Sequence, residues 1–169
     1  MKYLVVVDMQ NDFISGALGS AIAQAIVAKA KEIAESFDGE IIFTRDTHFD
    51  NYMDTREGRR LPVPHCIKDT WGWEICDELK PISKSKKILD KPTFGSVELI
   101  DYLREKGDVE SVCLLGLCTD ICVISNAMLI KVAFPEADVA VYEKASAGVS
   151  RESHNTALQA MSACQIDVL

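Results

Sequence analysis

The feature that most constrains the fold is a regular alternation of short aliphatic segments with longer segments whose apolar residues recur at helical spacing. Six segments are predicted strands: Tyr3–Val7, Glu40–Thr44, Lys87–Leu89, Val112–Leu117, Asp138–Tyr142 and Gln165–Leu169. Four stretches between them are predicted helices: Ala21–Phe37, Val97–Leu103, Ile121–Val132 and Glu152–Met161. Strands that alternate with helices pair in a parallel sheet, so we expect an α/β fold with helices on both faces of about six strands.

Length and charge restrict the number of domains and the classes of partner. The chain has 169 residues, which favours one domain over residues 1–169. Its 18 basic and 26 acidic residues give a net charge of −8 and are scattered along the sequence. Nucleic acid and anionic membranes are therefore not expected as partners. No stretch reaches the roughly 18 apolar residues that a membrane-spanning helix needs.

The six cysteines are expected to be free thiols. The first residues lack the pattern of a secretory signal, so we expect a cytoplasmic protein, and such proteins rarely form disulfides. One of the thiols could then be a reactive nucleophile. Cys113, in the fourth predicted strand, is expected to be a buried packing residue.

Reactive side chains follow three of the predicted strands, and ligands of parallel sheets bind at the carboxyl ends of the strands. Asp8 follows the first strand, where a buried carboxylate is costly unless it is paired or used. Lys91 follows the third. Cys122 follows the fourth, in the predicted first turn of a helix that Thr119 or Asp120 could cap. A helix N-terminus is expected to lower the pKa of this thiol.

Each of these residues also has an ordinary structural interpretation. Asp8 alone could cap a turn, Lys91 alone could be a solvated charge, and Cys122 alone could be a small buried hydrophobe. Together, an acid, an ammonium group and a thiol at neighbouring strand ends could generate a thiolate and hold its proton. The combination favours nucleophilic catalysis.

A long polar segment, residues 46–86, interrupts the alternation and is expected to be functional, because long structureless loops are rare in small domains. Asp46 and His48 are two residues apart, which in an extended segment directs both side chains to the same side. With His65 they could bind zinc, iron or manganese. Alternatively, all three are loop residues satisfied by hydrogen bonds. The third histidine, His154, is expected at the surface.

Five motifs, taken in order, resemble those of the isochorismatase-like cysteine hydrolases, and within that superfamily they are most similar to the nicotinamidases. They are Asp-Met-Gln-Asn-Asp-Phe at 8–13, Thr-Arg-Asp-x-His at 44–48, Leu-Pro-x-Pro-His-Cys at 61–66, Lys91, and Gly-x-x-Thr-Asp-x-Cys-Val at 116–123. The resemblance implies a single-domain, three-layer α/β/α fold with a parallel, Rossmann-like sheet.

The resemblance also implies a catalytic triad of Asp8, Lys91 and Cys122. Asp8 would take the thiol proton, Lys91 would hold Asp8 and polarise the site, and Cys122 would attack an amide carbonyl to form a thioester. The charge of a neighbouring Lys91 is expected to lower the pKa of Asp8. The backbone N–H groups of Cys118 and Cys122 would form the oxyanion hole, which the family builds with a cis peptide bond between Leu117 and Cys118.

The resemblance further implies a divalent metal ion, zinc in the first place, with iron or manganese as alternatives. Asp46, His48 and His65 would be ligands, and Glu57 would bind directly or through water. The ion would anchor the pyridine nitrogen of nicotinamide, and Phe13 would pack on the ring.

Three positions depart from the family pattern. Asp54 stands where some relatives have a histidine ligand, Cys118 replaces a commoner alanine, and Thr47 stands where an aromatic residue is frequent. These differences leave the implied triad intact. They bear on the ligand set and on the substrate more than on the reaction.

The leading hypothesis is a nicotinamidase that releases nicotinate and ammonia for NAD salvage. The predicted helix Ile121–Val132 has enough apolar surface to take part in a homo-oligomer. An alternative is a metal-independent hydrolase of the same superfamily, acting on a carbamoyl, ureido or isochorismate-like substrate. A nucleotide- or flavin-binding module is disfavoured, because the turn after the first strand lacks a G-x-G-x-x-G pattern or a P-loop.

Overall fold

The predicted alternation of strands and helices is present in the computed structural model, which describes all 169 residues. Six parallel strands pair in the order β3-β2-β1-β4-β5-β6. The strands are β1 Lys2–Val7, β2 Glu40–Asp46, β3 Lys87–Lys91, β4 Ser111–Leu117, β5 Asp138–Ala147 and β6 Asp167–Val168. The helices are α1 Asn11–Ile14, α2 Ala21–Ser36, α3 Arg56–Arg60, α4 Lys80–Ser83, α5 Val97–Lys106, α6 Ile124–Ala133 and α7 Arg151–Ala163.

The central strand β1 shows why both faces of the sheet are covered. Tyr3, Val5 and Val7 contribute to a core that contains residues of α5, α6 and α7. Leu4 and Val6 face the opposite core, which contains residues of α1 and α2. Successive side chains of a strand point to opposite faces, so a strand that is apolar throughout requires a helix layer on each side. The three-layer α/β/α prediction is confirmed.

Several strand boundaries differ from the predictions. β2 and β3 continue through Asp46 and Lys91, because backbone pairing between these two residues does not depend on side-chain polarity. β5 extends past the predicted end at Tyr142 to Ala147, across an irregularity in its pairing with β4. The last predicted strand is reduced to Asp167–Val168. The extensions of β2 and β3 make Asp46 and Lys91 the last residues of these strands, instead of residues that follow them.

The long segment between β2 and β3 is folded, although it contributes little regular structure. Besides α3 and α4 it contains two 3₁₀ turns, Tyr52–Asp54 and Trp71–Trp73. Isolated bridges join Gln10 to Ile75 and His48 to Ile67, which attach the segment to the strand ends. The segment therefore lies against the same edge of the sheet as Asp8.

The structure also tests the predictions made for the cysteines and for membrane-spanning helices. All six cysteines are free, as predicted. Cys113 is half-buried rather than buried, because it lies beside Tyr142 at the margin of the core formed with α2. The structure contains no helix whose length and apolar character would suffice to span a bilayer.

Candidate active site

The ends of four neighbouring strands converge on one cavity. Asp8 follows β1, Asp46 ends β2, Lys91 ends β3, and Cys122 lies in the turn after β4. The sheet order places these strands side by side, so their carboxyl ends share one edge. A cavity of about 650 Å³ lies there, and Phe13, the residue predicted to contact the substrate ring, lines it together with Cys122.

Lys91 lies between the other two predicted catalytic residues. Its Nζ is 2.6 Å from Asp8 Oδ2 and 3.3 Å from Cys122 Sγ, and it donates to the Thr93 carbonyl oxygen at 3.1 Å. All three predicted residues are buried. The structure thus brings together a carboxylate, an ammonium group and a thiol that lie far apart in the sequence.

Asp8 is oriented by Thr44, which the sequence analysis did not single out as functional. The Thr44 hydroxyl donates to Asp8 Oδ1 at 2.6 Å and accepts from the Asp8 backbone N–H at 3.3 Å. With Oδ1 held in this way, Oδ2 faces Lys91. The backbone of Asp8 has φ 48°, a left-handed conformation that non-glycine residues adopt mainly at constrained or functional positions.

Burial has the largest effect on the pKa values of Asp8 and Cys122. It raises the pKa of Asp8, and the charge of Lys91 opposes that rise only in part. Burial and the Asp8 carboxylate also raise the pKa of the Cys122 thiol well above its usual value, again against the effect of Lys91. The expected lowering of both pKa values is therefore wrong, because lost hydration outweighs the neighbouring cation.

The raised pKa values suit Asp8 to act as a base and Cys122 to start as a protonated thiol. A thiol with a raised pKa stays protonated until a base removes its proton. A carboxylate with a raised pKa is a stronger base than an exposed one. The two shifts favour a general-base role for Asp8 over a thiolate that exists before substrate binds.

Cys122 does not lie in the first turn of an ordinary α-helix, as predicted, but in a π-helical turn, Thr119–Val123, that leads into α6. The Cys118 carbonyl oxygen accepts from the Val123 N–H at 3.1 Å, which closes this wider turn. The peptide bond between Leu117 and Cys118 is cis, as predicted. Isolated π-helical turns occur frequently at functional sites.

Neither Thr119 nor Asp120 caps the helix, contrary to expectation. The Thr119 hydroxyl instead pairs with His154 Nδ1 at 2.8 Å, and Asp120 Oδ1 accepts from the Val149 N–H at 3.1 Å. His154 is half-buried rather than a free surface residue, because α7 packs against the π-helical turn that contains Cys122. These contacts join residues about 30 positions apart and have no local signal in the sequence.

The predicted metal ligands also lie close together in the structure. One ligand atom from each of four residues lies within 4.8 Å of the others, and the four are Asp46, His48, Glu57 and His65. His48 Nε2 is 3.0 Å from Asp46 Oδ2, and His65 Nε2 is 3.6 Å from the same oxygen. Asp54, the alternative carboxylate, is exposed and lies outside the cluster.

The cluster has the donors and the charge that a divalent cation requires. His65 Nδ1 is 2.8 Å from the Val63 carbonyl oxygen, an arrangement that leaves Nε2 as the ligand atom. Asp46 Oδ1 is buried without a hydrogen-bond partner. Burial and the nearby Asp46 carboxylate raise the pKa of Glu57, as expected for two acids that share a site without a cation. Two imidazoles and two carboxylates suit zinc, iron or manganese.

Two further residues of the first motif hold the cluster in place. Gln10 Oε1 accepts from the Asp46 N–H at 2.7 Å, and its Nε2 donates to the carbonyl oxygens of Asp46 and Trp73, each at 2.9 Å. Asp12 Oδ2 accepts from the Cys66 N–H at 2.7 Å, next to His65. The sequence analysis quoted both residues only as part of a motif and assigned them no role.

We expect the Gln10→Met variant to bind zinc about 10- to 100-fold more weakly, since residues that support ligands typically contribute this much to metal affinity. Its free energy of unfolding should fall by about 2–4 kcal/mol, because buried backbone groups of Asp46 and Trp73 lose their partners. Isothermal titration with zinc and denaturant unfolding measure the two effects. Gln24→Met, on the exposed face of α2, is the matched control, and equal zinc affinity in both variants would contradict the prediction.

Comparison with known proteins provides independent information about this site. A family model described as the isochorismatase domain matches residues 2–169. Among curated proteins, a nicotinamidase of Saccharomyces cerevisiae is 29% identical, over 76% of this chain and 80% of that protein. A nicotinamidase/pyrazinamidase of Mycobacterium tuberculosis is 28% identical, over 75% of this chain and 77% of that one.

Solved structures are similar over nearly the whole chain. A pyrazinamidase of Pyrococcus horikoshii, solved in complex with zinc, has a TM-score of 0.85 and 30% identity, covering 99% of this chain and 98% of that one. A pyrazinamidase/nicotinamidase of Streptococcus mutans has a TM-score of 0.87 and 28% identity, with both chains fully covered.

Proposed function

The chain belongs to the isochorismatase family, and we propose that it is a nicotinamidase, an amidohydrolase that converts nicotinamide to nicotinate and ammonia in NAD salvage. One observation carries the proposal: Cys122 of the triad and three residues of the four-residue cluster line the same cavity. A nucleophile next to a group that can hold a ring nitrogen suits a heteroaromatic amide. The sequence similarity to curated nicotinamidases supports the same substrate.

In the first step, Asp8 takes the proton of the Cys122 thiol through its Oδ2. The sulfur then attacks the amide carbon, and the C–N bond breaks after Asp8 returns the proton to the leaving nitrogen, so that ammonia departs. Lys91 stays charged, because the Asp8 carboxylate raises the pKa of the ammonium group although burial opposes its charge. It holds Asp8 and faces the sulfur throughout the reaction.

The carbonyl oxygen becomes negatively charged when sulfur adds. We assign the backbone N–H groups of Cys118 and Cys122 as its hydrogen-bond donors, since fixed donors stabilise such charge without reorganisation. In the second step Asp8 removes a proton from water, which attacks the resulting thioester and releases nicotinate and the thiol.

Four residues are proposed to hold a divalent ion: Asp46, His48, Glu57 and His65. When bound, the ion would coordinate the pyridine nitrogen and orient the ring. Phe13, whose ring centroid is 5.5 Å from that of His65, would pack against the bound ring. Asp46 connects the two groups, because its Oδ1 is 3.5 Å from Lys91 Nζ. The cluster would thus govern substrate position rather than bond cleavage.

The direct test is an ammonia-release assay of the purified protein with nicotinamide, pyrazinamide and a ureido compound, each with and without a strong chelator. We expect ammonia from both ring amides, loss of activity in chelator, and recovery when zinc, iron or manganese is added back. Turnover of the ureido compound alone, unaffected by chelator, would instead indicate the metal-independent type of hydrolase.

The His48→Ala variant separates the proposed ligand role from catalysis. We expect it to lose stoichiometric metal and at least about 100-fold of kcat/KM for nicotinamide, because substrate positioning contributes rate enhancements of this order. Iodoacetamide should still alkylate Cys122 at close to the wild-type rate, since the triad is intact. Metal content is measured by elemental analysis, and a variant that retains a full complement of metal would contradict the ligand assignment.

A further inference from the structure

The cavity has more room than a single pyridine ring needs. Its volume of about 650 Å³ lies within the range of roughly 300–1,000 Å³ that encloses drug-sized ligands. The residues of the proposed mechanism that line it are buried, such as Cys122 and His65, or half-buried, such as Glu57, and they form its floor. Exposed residues form its rim, and the mechanism uses none of them.

Two of the rim residues are arginines. Arg56 and Arg60 are four positions apart on α3, which places them on one face of the helix, and both line the cavity. The ion pairs of the structure engage Arg45 and Arg104, and Arg59 donates to a backbone carbonyl, but Arg56 and Arg60 have no partner. With no carboxylate partner in the structure, both guanidinium groups are free to bind an anion.

The surroundings of the two arginines favour an anion attached to an aromatic body. Leu61, Phe94 and Val149 provide exposed apolar surface on the same rim. Arginine binds carboxylates in a planar, bidentate geometry and is weakly hydrated for a cation. Nicotinamide is uncharged and offers these guanidinium groups nothing to bind.

We propose that Arg56 and Arg60 form a subsite for a negatively charged ring substituent, so that the enzyme also hydrolyses aromatic carboxamides bearing a carboxylate on the ring position that faces the rim. This inference rests on the proposed function for the reacting end of the substrate. The carboxamide would lie at Cys122, and the second substituent would point outward to α3.

The test compares two ring amides of similar shape, 5-carboxynicotinamide and 5-acetylnicotinamide, in which a neutral methyl ketone replaces the charged carboxylate. In the wild-type enzyme we expect kcat/KM for the carboxylate to exceed that for the acetyl compound by about tenfold or more, the effect of one charge-assisted pair. The doubly substituted Arg56→Gln, Arg60→Gln enzyme should lose this preference. Arg59→Gln removes the same charge from the same helix but away from the cavity, and should keep it.

A wild-type preference near one, or an equal loss in the Arg59→Gln control, would overturn the proposal. Nicotinamide is assayed alongside: if it is hydrolysed but neither substituted amide is, the subsite proposal is overturned. If nicotinamide is not hydrolysed either, the proposed function fails, and binding still decides the subsite. Pyridine-3,5-dicarboxylate should then protect Cys122 from iodoacetamide at lower concentration than nicotinate does, and the double variant should abolish that difference. Equal protection by the two acids in the wild-type protein would contradict the subsite.

Discussion

The Cys122→Ala variant is expected to hydrolyse nicotinamide more slowly than the wild-type enzyme by a factor on the order of 10⁴ to 10⁶, as for other enzymes that lose a covalent nucleophile. Cys122 is the thiol that contacts Lys91, at 3.3 Å, and it is buried in the cavity floor. Without its sulfur no thioester forms. The measurement is kcat for ammonia release at saturating nicotinamide, with the thermal unfolding temperature as a check of folding.

Cys164→Ala is the matched control, since Cys164 is exposed and free. It should keep the wild-type kcat. A Cys122→Ala enzyme that retained a sizeable share of wild-type activity would exclude the thioester route, and the proposed reaction would then need another nucleophile.

The second large effect is expected for Asp8→Asn, which should lower kcat by about 10² to 10⁴, the usual contribution of a general acid–base group. Asparagine has the shape of aspartate but cannot accept the thiol proton. Because burial raises the pKa of Cys122, ionisation of the thiol depends on a neighbouring base, and Asp8 is the proposed one. The same variant should therefore react with iodoacetamide more slowly than wild type.

Alkylation is best measured in a Cys164→Ala background, so that the exposed thiol does not contribute to the signal. Asp101→Asn, an exposed residue on α5, controls for the loss of one negative charge. An unchanged alkylation rate and pH profile in Asp8→Asn would show that Asp8 does not activate the thiol.

The sequence alone was sufficient to predict the sheet, its helix layers and the residues that meet at its edge. The reason is local patterning: short aliphatic runs in strands and helically spaced apolar residues between them are local properties of the chain. Parallel strands end at one edge, so residues such as Asp8, Lys91 and Cys122 could be placed together without coordinates.

The supporting contacts could not be predicted in this way. Gln10 donates to Trp73, 63 positions away, and Thr44 donates to Asp8 across 36 positions. His154 reaches Thr119 across 35 positions. Such partners depend on how the segment between β2 and β3, and helix α7, pack on the sheet. No local pattern encodes that packing.

The pKa values of Asp8 and Cys122 also could not be predicted from the sequence. From the sequence, the charge of Lys91 and a helix N-terminus were expected to lower the pKa of Asp8 and of Cys122. In the folded protein, burial raises both. The sequence determined which chemical groups meet, because motif order and strand periodicity are local. Only the tertiary structure decided how strongly they hold their protons and what positions them, because both depend on exclusion of water by residues distant in the chain.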